Sequence, residues 1–250
     1  MEGTAVHERL NWRVCDLAAQ VWETPSVRSL VLECRGWPGH LPGQHVDVRL
    51  TAEDGYQAER SYSLATPFRD DTITLTVQRL PDGEVSPYLC EVLAPGDQLE
   101  LRGPIGGYFV WEPGDRSPVL LVGGGSGVVP LMAMMRERVA VDGGPPMRLL
   151  HSARSFEEIV YRDELGRIAA MGNGIEVFTT LTRARPQEWT GYARRVDMAM
   201  LCEVAWPAGL RPKAYVCGPT GFVEAVADIL VDLGYPADRV LTERFGPTGV

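Results

Sequence analysis

The chain has 250 residues with 24 basic and 33 acidic side chains, which give a formal net charge of −9. This length allows two ordinary domains, each with its own hydrophobic core. The acidic balance, without a basic stripe, argues against nucleic acid as a partner. The five cysteines are scattered and odd in number, and the four histidines lack metal-ligand spacing. The sequence therefore predicts no disulfide framework, no zinc or iron–sulfur cluster and no other metal site.

Two features decide the expected location. The first residues, MEGTAVHERLNW, have neither a basic start nor an apolar core, so no signal peptide is predicted. The uncharged run at residues 117–135 is short for a membrane span and is interrupted by glycines and Pro130. We therefore expect a cytoplasmic protein without membrane insertion.

The first half of the chain, from residue 14 to about residue 110, has the pattern of short strands. Apolar and polar residues alternate in SVRSLVLEC, QHVDVRL and DTITLTVQRL, and the turn sequences WPGHLPG, AEDG and LPDG lie between them. A short helical segment, SPYLCEVL, precedes APGDQLELRGPIGGYF. Several short strands at this spacing predict a small antiparallel Greek-key β-barrel.

The second half alternates strands and helices. The linker WEPGDRSP at residues 111–118 precedes the strands VLLVGG, MRLLHSA, GIEVFTTLT and AYVCGP, and helices are predicted at about 130–141, 157–171, 195–202 and 221–233. This alternation predicts an α/β domain with a doubly wound parallel sheet, which places ligands at the carboxyl ends of its strands. Residues 1–115 carry 9 arginines against 18 acidic residues, whereas the remainder is balanced. The change in charge supports domains at 1–114 and 115–250.

A glycine-rich turn, GGGSGVVP, connects the first strand of the second half to its first helix. Free backbone N–H groups and the positive end of the helix dipole converge there, so the turn is suited to an anion. The pattern Gly125-x-Gly127-x-x-Pro130 is similar to the dinucleotide fingerprint, with proline where a third glycine is usual. Ser126 lacks the second flanking glycine of a nucleophile elbow, and no lysine follows as in a P-loop. By itself the turn leaves a purely structural role open.

Five further stretches accompany the glycine turn in a fixed order: ERSYSLATP, GEVSPYL, GPIGGYF, VCGPTGFVEAV and LTERFGPTGV. In order and spacing, over nearly the whole chain, this set resembles the ferredoxin–NADP reductase superfamily. The resemblance implies a flavoenzyme with an FAD-binding barrel at 1–114 and an NAD(P)-binding α/β domain at 115–250.

The resemblance assigns residues of the barrel to FAD. Arg60 would pair with the pyrophosphate, since a planar guanidinium can bind two oxygens. Tyr62 would stack against the isoalloxazine ring, and Ser63 would hydrogen-bond flavin N5, the atom that receives hydride. A second segment would present backbone N–H groups and a hydroxyl to the same pyrophosphate, which favours FAD over FMN. Its residues are Gly83, Val85 and Ser86.

The resemblance also assigns residues of the second half to catalysis at the nicotinamide. Cys217 would lie beside nicotinamide C4, with Gly218 and Pro219 shaping the floor of the site. Glu243 would polarise or hydrate the site, and Phe245 would cover the flavin face that the nicotinamide must reach. The chain continues past Phe245 with GPTGV instead of ending on the aromatic residue, a departure from the plant-type pattern.

The nucleotide itself would be held at two places. Its pyrophosphate would lie on the glycine turn, at Gly124, Gly125 and Gly127. The 2′-phosphate that distinguishes NADPH from NADH would meet Thr182 and Arg183 after the third strand of the sheet, with Arg154 and Ser155 nearby after the second strand. A charged hydrogen bond of this kind is worth about 1.5–3 kcal/mol. NADPH is therefore favoured, with NADH as the alternative.

Together these expectations describe an FAD-dependent oxidoreductase that transfers hydride from NADPH to FAD and passes electrons to a separate redox partner. No C-x4-C-x2-C run is present, so a fused 2Fe–2S domain is not expected and a ferredoxin is the first candidate acceptor. An acidic flavin half is a poor surface for an acidic ferredoxin, which leaves free flavin, quinone or a haem or molybdenum partner subunit as alternatives. A flavin-binding relay subunit without its own NAD(P)H oxidation is disfavoured, because Cys217, the glycine turn and Glu243 are all present.

Overall fold

The computed structural model of the chain describes residues 10–141 and 143–246, which form two sheets. The first sheet has six strands: β1 Trp12–Thr24, β2 Val27–Glu33, β3 His45–Thr51, β4 Gln57–Ser63, β5 Thr72–Gln78 and β6 Gln98–Ile105. A single wide helical turn, Tyr88–Val92, precedes β6. It is wide because the Leu93 N–H donates to the Tyr88 carbonyl, five residues back.

The six strands form a closed antiparallel barrel. Their order is β4-β3-β6-β1-β2-β5, and every neighbouring pair is antiparallel. The two outer strands meet just after β4, where Leu64 bridges to Leu75 and the Ala65 N–H donates to the Thr74 carbonyl at 2.8 Å. Inward-facing apolar residues fill the interior, among them Leu30, Val48, Leu75 and Leu101. The predicted antiparallel Greek-key barrel is confirmed.

The longest strand, β1, has no counterpart among the predicted elements. It pairs with both β2 and β6, and a bulge after Leu17 ends its apolar alternation. Cys15 in β1 and Cys34 just after β2 lie opposite each other, with Cα atoms 4.5 Å apart, and form a disulfide. The sequence, in which we found no sign of a disulfide framework, did not predict this single disulfide. Cysteine spacing gave no signal because the pairing depends on the β1–β2 register.

The second sheet has five parallel strands: β7 Val119–Gly124, β8 Met147–Ala153, β9 Ile175–Leu181, β10 Lys213–Pro219 and β11 Val240–Phe245, in the order β11-β10-β7-β8-β9. The helices are α1 Val128–Ala140, α2 Arg162–Ala170, α3 Met198–Val204 and α4 Thr220–Asp232. Residues of α1 and α2 pack on one face of the sheet and those of α3 and α4 on the other. The predicted doubly wound sheet is confirmed. No helix in the described part of the chain is long and apolar enough to cross a membrane.

Two helices begin later than predicted. The helix expected from residue 157 starts at Arg162, because Tyr161 has a φ of 58° and a left-handed residue interrupts a right-handed helix. The helix expected from residue 195 starts at Met198. Asp197 is its N-cap and accepts the Met200 N–H at 2.8 Å. That capping residue is visible in the sequence and would have corrected the second boundary.

The predicted linker begins as part of a hydrophobic core. Trp111 is completely buried and belongs to the core cluster beneath α1. The neighbouring Phe109 ring packs edge-on against Tyr215 of β10, with ring centroids 5.4 Å apart, and the Tyr215 hydroxyl donates to the Val110 carbonyl at 2.8 Å. The chain therefore leaves the barrel along a packed path, and this packing anchors the barrel to the parallel sheet.

A buried chain of hydroxyl groups crosses from one domain to the other. The fully buried Tyr161, just before α2, donates to Thr76 Oγ1 of β5 at 2.5 Å. Thr76 and Ser29 hydroxyls lie 2.8 Å apart, and Ser29 donates to Glu23 at 2.6 Å. Arg136 of α1 lies over the Tyr161 ring and donates to a barrel carbonyl. A polar network that is fully bonded in a low-dielectric interior fixes geometry strongly.

Replacing Tyr161 by phenylalanine removes the first hydrogen bond of this chain. We expect the Tyr161→Phe variant to lose about 1 kcal/mol of unfolding free energy, the usual net contribution of one buried hydrogen bond. Equilibrium urea unfolding measures the loss as a lower midpoint. The matched control is Tyr108→Phe, which changes a hydroxyl on a side chain that is 63% exposed, and its midpoint should stay at the wild-type value. Equal midpoints for wild type and Tyr161→Phe would contradict the role of the buried chain.

Candidate functional site

The glycine turn lies at the carboxyl end of β7, in the middle of the parallel sheet. It forms one tight helical turn, Gly125–Gly127, that leads directly into α1. A Cβ at Gly127 would stand 2.2 Å from the Cys217 carbonyl oxygen, so only glycine allows this approach to β10. Gly125 has a φ of +57° and would have nothing within 4 Å of a Cβ. The turn is thus packed against β10 at Gly127 and open at Gly125, the arrangement that a pyrophosphate cradle requires.

Two more glycines bring the ends of β7 and β10 together. A Cβ at Gly218 would lie 3.3 Å from the Gly124 Cα and 2.8 Å from the Phe222 ring, and a Cβ at Gly124 would lie 2.9 Å from the same ring. Phe222 of α4 therefore covers both backbones. The predicted floor residues Gly218 and Pro219 lie at this junction, beside the glycine turn.

Cys217 and Glu243 are direct neighbours across the sheet. The parallel register of β10 and β11 pairs the two residues, and Cys217 Sγ lies 3.9 Å from Glu243 Oε2. On the other side of Glu243, its Oε1 lies 3.9 Å from His45 Nδ1 at the start of β3. His45 in turn pairs with Ser63 in the β3–β4 ladder. The predicted catalytic residues Ser63, Cys217 and Glu243 thus converge from two domains.

Burial sets the protonation of this cluster. Burial raises the pKa of Glu243 to about 7, and the hydrogen bond with the Cys217 thiol acts in the opposite direction. Burial, followed by the nearby Glu243 carboxyl, raises the pKa of the Cys217 thiol well above its ordinary value. Burial also lowers the pKa of His45, against the opposing charge of Asp47. Near pH 7 the thiol is protonated, the imidazole is neutral and the carboxyl is the group that titrates.

Sequence reasoning missed His45, because it considered histidines only as metal ligands. The available signal was the strand pattern. QHVDVRL and ERSYS are adjacent strands whose alternation puts His45 and Ser63 on the same face, but the register that sets these two residues opposite each other comes from the structure. Phe245, the last predicted catalytic residue, ends β11 opposite Pro219, and its side chain is 37% exposed.

Ser126 was also passed over as a site residue. Its hydroxyl donates to Gln78 Oε1 at the end of β5, at 2.8 Å. The glycine turn of the parallel-sheet domain is therefore hydrogen-bonded to the barrel domain. No sequence pattern links these two residues, since the contact depends on how the domains pack.

The predicted FAD residues lie on the barrel around β4. Arg60 and Tyr62 are two residues apart on this strand and share one face. Arg60 Nη2 lies 2.9 Å from Glu84 Oε2, and the Tyr56 hydroxyl donates to Glu84 Oε1 at 2.9 Å. Both partners of the ion pair are about half exposed. The guanidinium assigned to a pyrophosphate is thus placed next to a carboxylate of the chain itself.

The segment from Gly83 to Ser86 forms a tight turn beside that guanidinium. The Leu80 N–H donates to Ser86 Oγ at 3.0 Å. A Cβ at Gly83 would lie 3.1 Å from Ser86 Oγ and 3.2 Å from the Leu80 carbonyl, a spacing that favours glycine. The Val85 carbonyl accepts the Leu89 N–H at 3.1 Å as the following helical turn begins. A glycine turn next to an arginine fits a phosphate group, so the barrel residues suit FAD.

The residues predicted for a 2′-phosphate lie together at the ends of β8 and β9. The Thr182 N–H and hydroxyl both donate to the Ala153 carbonyl, at 3.0 and 3.2 Å. The Arg183 N–H donates to the Arg154 carbonyl at 2.9 Å, and both arginine side chains are exposed. The structure therefore brings the backbones of the two predicted arginines together and leaves both side chains open to solvent. Over residues 10–141 and 143–246, no three metal-ligating side chains cluster.

Comparison with known families agrees with this division of the chain. Residues 24–110 match the oxidoreductase FAD-binding domain, and residues 121–228 match the oxidoreductase NAD-binding domain. The first segment covers β2 to β6 of the barrel, and the second runs from β7 through β10 into α4 of the parallel-sheet domain.

Two curated relatives resemble the chain over most of its length. The glycine betaine monooxygenase reductase subunit of Pseudomonas aeruginosa is 33% identical over 210 residues, which cover 83% of this chain and 56% of the relative. The flavohemoprotein of Deinococcus radiodurans is 31% identical over 246 residues, which cover 95% of this chain and 60% of the relative. The chain thus spans less than two thirds of the length of these relatives.

A solved structure has the same two-domain arrangement. The flavohem-like FAD/NAD-binding domain of nitric oxide dioxygenase from Vibrio cholerae superimposes with a TM-score of 0.84 at 26% identity, covering 96% of this chain and all of that one. The barrel, the parallel sheet, the glycine turn and both domain matches lead to one assignment. The chain belongs to the ferredoxin–NADP reductase superfamily, with one FAD-binding and one NAD-binding oxidoreductase domain.

Proposed function

We propose that this protein is an FAD-dependent reductase that takes electrons from NADPH and passes them to a separate redox protein. The observation that carries the proposal is the convergence of Ser63, Cys217 and Glu243 beside the glycine turn, where the carboxyl ends of the parallel strands face the barrel. FAD, when bound, supplies the hydride acceptance and the release of electrons that no side chain can provide. The chain contributes binding, orientation and control of protons.

Arg60 and the turn at Gly83–Ser86 are the groups that would hold the FAD pyrophosphate. Tyr62 offers a flat ring beside them, packed against the barrel core, and Ser63 follows it with a hydroxyl on the side of His45. The glycine turn would hold the pyrophosphate of NADPH, and the Arg154–Arg183 pair would hold its 2′-phosphate. Binding at several fixed points removes most of the entropic cost of bringing the two reactants together.

Cys217 and Glu243 lie where the two ring systems would meet. The thiol, protonated and buried, contributes a small apolar contact and no charge. Glu243 has a pKa near 7, so it can hold or release a proton at physiological pH. Phe245 ends β11 at the edge of this region and would shield it from water.

The acceptor we propose is a separate redox protein, with a ferredoxin or an oxygenase component as the candidates. The relative from P. aeruginosa is by its name the reductase subunit of a monooxygenase, and we infer the same kind of role here. The acidic excess of the first half favours a partner with a basic docking surface. An oxygenase component with such a surface fits this requirement better than an acidic ferredoxin.

The function is tested by adding NADPH or NADH to the FAD-loaded protein without oxygen. We expect the visible flavin absorbance to bleach, faster with NADPH. In the Arg183→Ala variant the NADPH concentration that gives half the maximal bleaching rate should rise about tenfold to a hundredfold, since a charged hydrogen bond contributes about 1.5–3 kcal/mol, while the corresponding NADH concentration stays within about twofold. Arg167→Ala, an exposed arginine on α2, is the matched control. A flavin that neither nucleotide bleaches would refute the proposed reductase. If Arg183→Ala weakens the binding of NADPH and NADH equally, Arg183 does not contact the 2′-phosphate.

The ion pair between Arg60 and Glu84 predicts a competition with FAD. The carboxylate occupies the guanidinium that the pyrophosphate would bind, and an exposed pair of this kind is worth about 0.2–1 kcal/mol. Glu84→Gln should therefore tighten FAD binding about two- to fivefold, measured by fluorescence quenching with flavin-free protein. Glu53→Gln, on an exposed turn of the same barrel, should leave the Kd unchanged. Weaker binding by Glu84→Gln would show that Glu84 supports the cradle instead of competing for it.

The raised pKa of Glu243 predicts a pH-dependent stability. The folded protein keeps a proton up to about pH 7 that the unfolded chain releases near pH 4.5. The stability that this proton contributes is complete below the unfolded pKa and is lost as the pH rises through 7. The Tm of the FAD-loaded protein should therefore fall less between pH 5 and pH 8 in Glu243→Gln than in wild type. The exposed Glu224→Gln should keep the wild-type profile, and identical slopes in all three would contradict the assignment.

A further inference from the structure

A completely buried histidine lies beneath the glycine turn. His151 is on β8, next to the central strand β7 and opposite its Gly123, and its side chain is 0% exposed. Its Nε2 lies 3.2 Å from the carbonyl oxygen of Gly125. A carbonyl can only accept, so Nε2 must carry the hydrogen. Neither the FAD residues nor the catalytic cluster uses this contact.

The second ring nitrogen of His151 has no partner in the described part of the chain. Burial lowers the pKa of His151 to about 4, so the ring is neutral near pH 7 and Nδ1 is a bare acceptor. A buried polar atom without a hydrogen bond costs about 1–3 kcal/mol. A phenylalanine at this position would fill the space without that cost. The histidine therefore needs another reason, and its Nε2–H bond to the turn provides one.

The geometry of the peptide bond explains what that bond does. In a trans peptide the C=O and the following N–H point in opposite directions. His151 and the Val128 N–H both donate to the Gly125 carbonyl, which directs this oxygen into the protein. The Ser126 N–H on the same peptide must then point out of the turn, toward the open space over Gly125. If this peptide rotated, a carbonyl oxygen would face the anion site and repel a phosphate.

We infer that His151 is a positioning residue for the nicotinamide nucleotide: by donating to the Gly125 carbonyl it holds the Gly125–Ser126 peptide with its N–H aimed at the pyrophosphate. The inference rests on the proposed function, because it assumes that the glycine turn binds a dinucleotide. On this inference, part of the affinity of the turn for the nucleotide depends on His151, which lies beneath it. The Ser126 side chain is held separately, by its hydroxyl bond to Gln78 of the barrel. His151 contacts only the peptide group, through the Gly125 carbonyl.

The test uses three substitutions at one position in the FAD-loaded protein. His151→Phe keeps the volume and removes the donor. In His151→Gln the amide nitrogen stands close to the position of Nε2 and retains a donor to the carbonyl. In His151→Asn the shorter amide stands nearer Nδ1 and does not reach. The Kd for NADP⁺ is measured by calorimetric titration, and the Tm is measured with and without NADP⁺.

We expect the Kd for NADP⁺ to rise about tenfold in His151→Phe and in His151→Asn, a change of about 1.4 kcal/mol, and to stay within about twofold of wild type in His151→Gln. The flavin spectrum should not change in any variant. A purely structural role would lower the Tm without separating the Gln variant from the Asn variant in affinity. Equal affinity of wild type and His151→Phe, or equal weakening in all three variants, would overturn the inference while leaving the proposed function intact. A wild-type protein that does not bind NADP⁺ would overturn both.

Discussion

The contact between the glycine turn and the carboxyl end of β10 is the constraint on which the rest of the site depends. Gly127 has no room for a Cβ because the Cys217 carbonyl lies against it, and Gly218 and Gly124 meet in the same way under the Phe222 ring. Because these backbones touch, the start of α1 and the thiol of Cys217 share one small region. A side chain at Gly127 would separate β7 from β10, and the anion cradle would lose its position relative to the thiol. The absence of side chains at these glycines therefore sets the distance between the proposed phosphate site and the proposed nicotinamide site.

The second determinant is the packing of the barrel against the sheet, since half of the site comes from each domain. Trp111 and Phe109 fix where the chain leaves the barrel, and Tyr161 connects the start of α2 to Thr76 of β5. These contacts bring the first residue of β3 to the last residues of β11. His45 consequently lies 3.9 Å from Glu243. A shift of one domain by a few ångströms would break this contact, and the packing of the barrel residues Val27 and Ala65 into the core under α1 opposes such a shift.

The sequence predicted those parts that follow from short-range pattern. Strands β7 and β8 and the glycine turn were predicted within a residue, because an apolar run bounded by glycine or a turn has few other solutions. The strand β1 was missed, since its apolar alternation stops at a bulge after Leu17. The Cys15–Cys34 pair was missed with it. His45, Gln78 and His151 were not predicted for a related reason. Each makes a contact that depends on sheet register or domain packing, and the spacing of residues along the chain does not reveal either.

Charged arginines lie at the outer parts of the site, and side chains that burial favours in their neutral forms lie between them. The exposed guanidinium groups of Arg60, Arg154 and Arg183 lie at the outer parts, where the phosphates are proposed to bind. Between them lie Cys217, Glu243 and His45, whose pKa values are shifted by burial toward their neutral forms. A negative charge that arrives beside Glu243 raises its pKa further, whereas burial lowers the pKa of His45 and opposes its protonation. In the proposed reaction, a proton on Glu243 would balance the electrons that arrive in this region. The low dielectric of the junction favours such a balance, because an unpaired charge there is costly, and this would couple the titration of Glu243 to the proposed reaction.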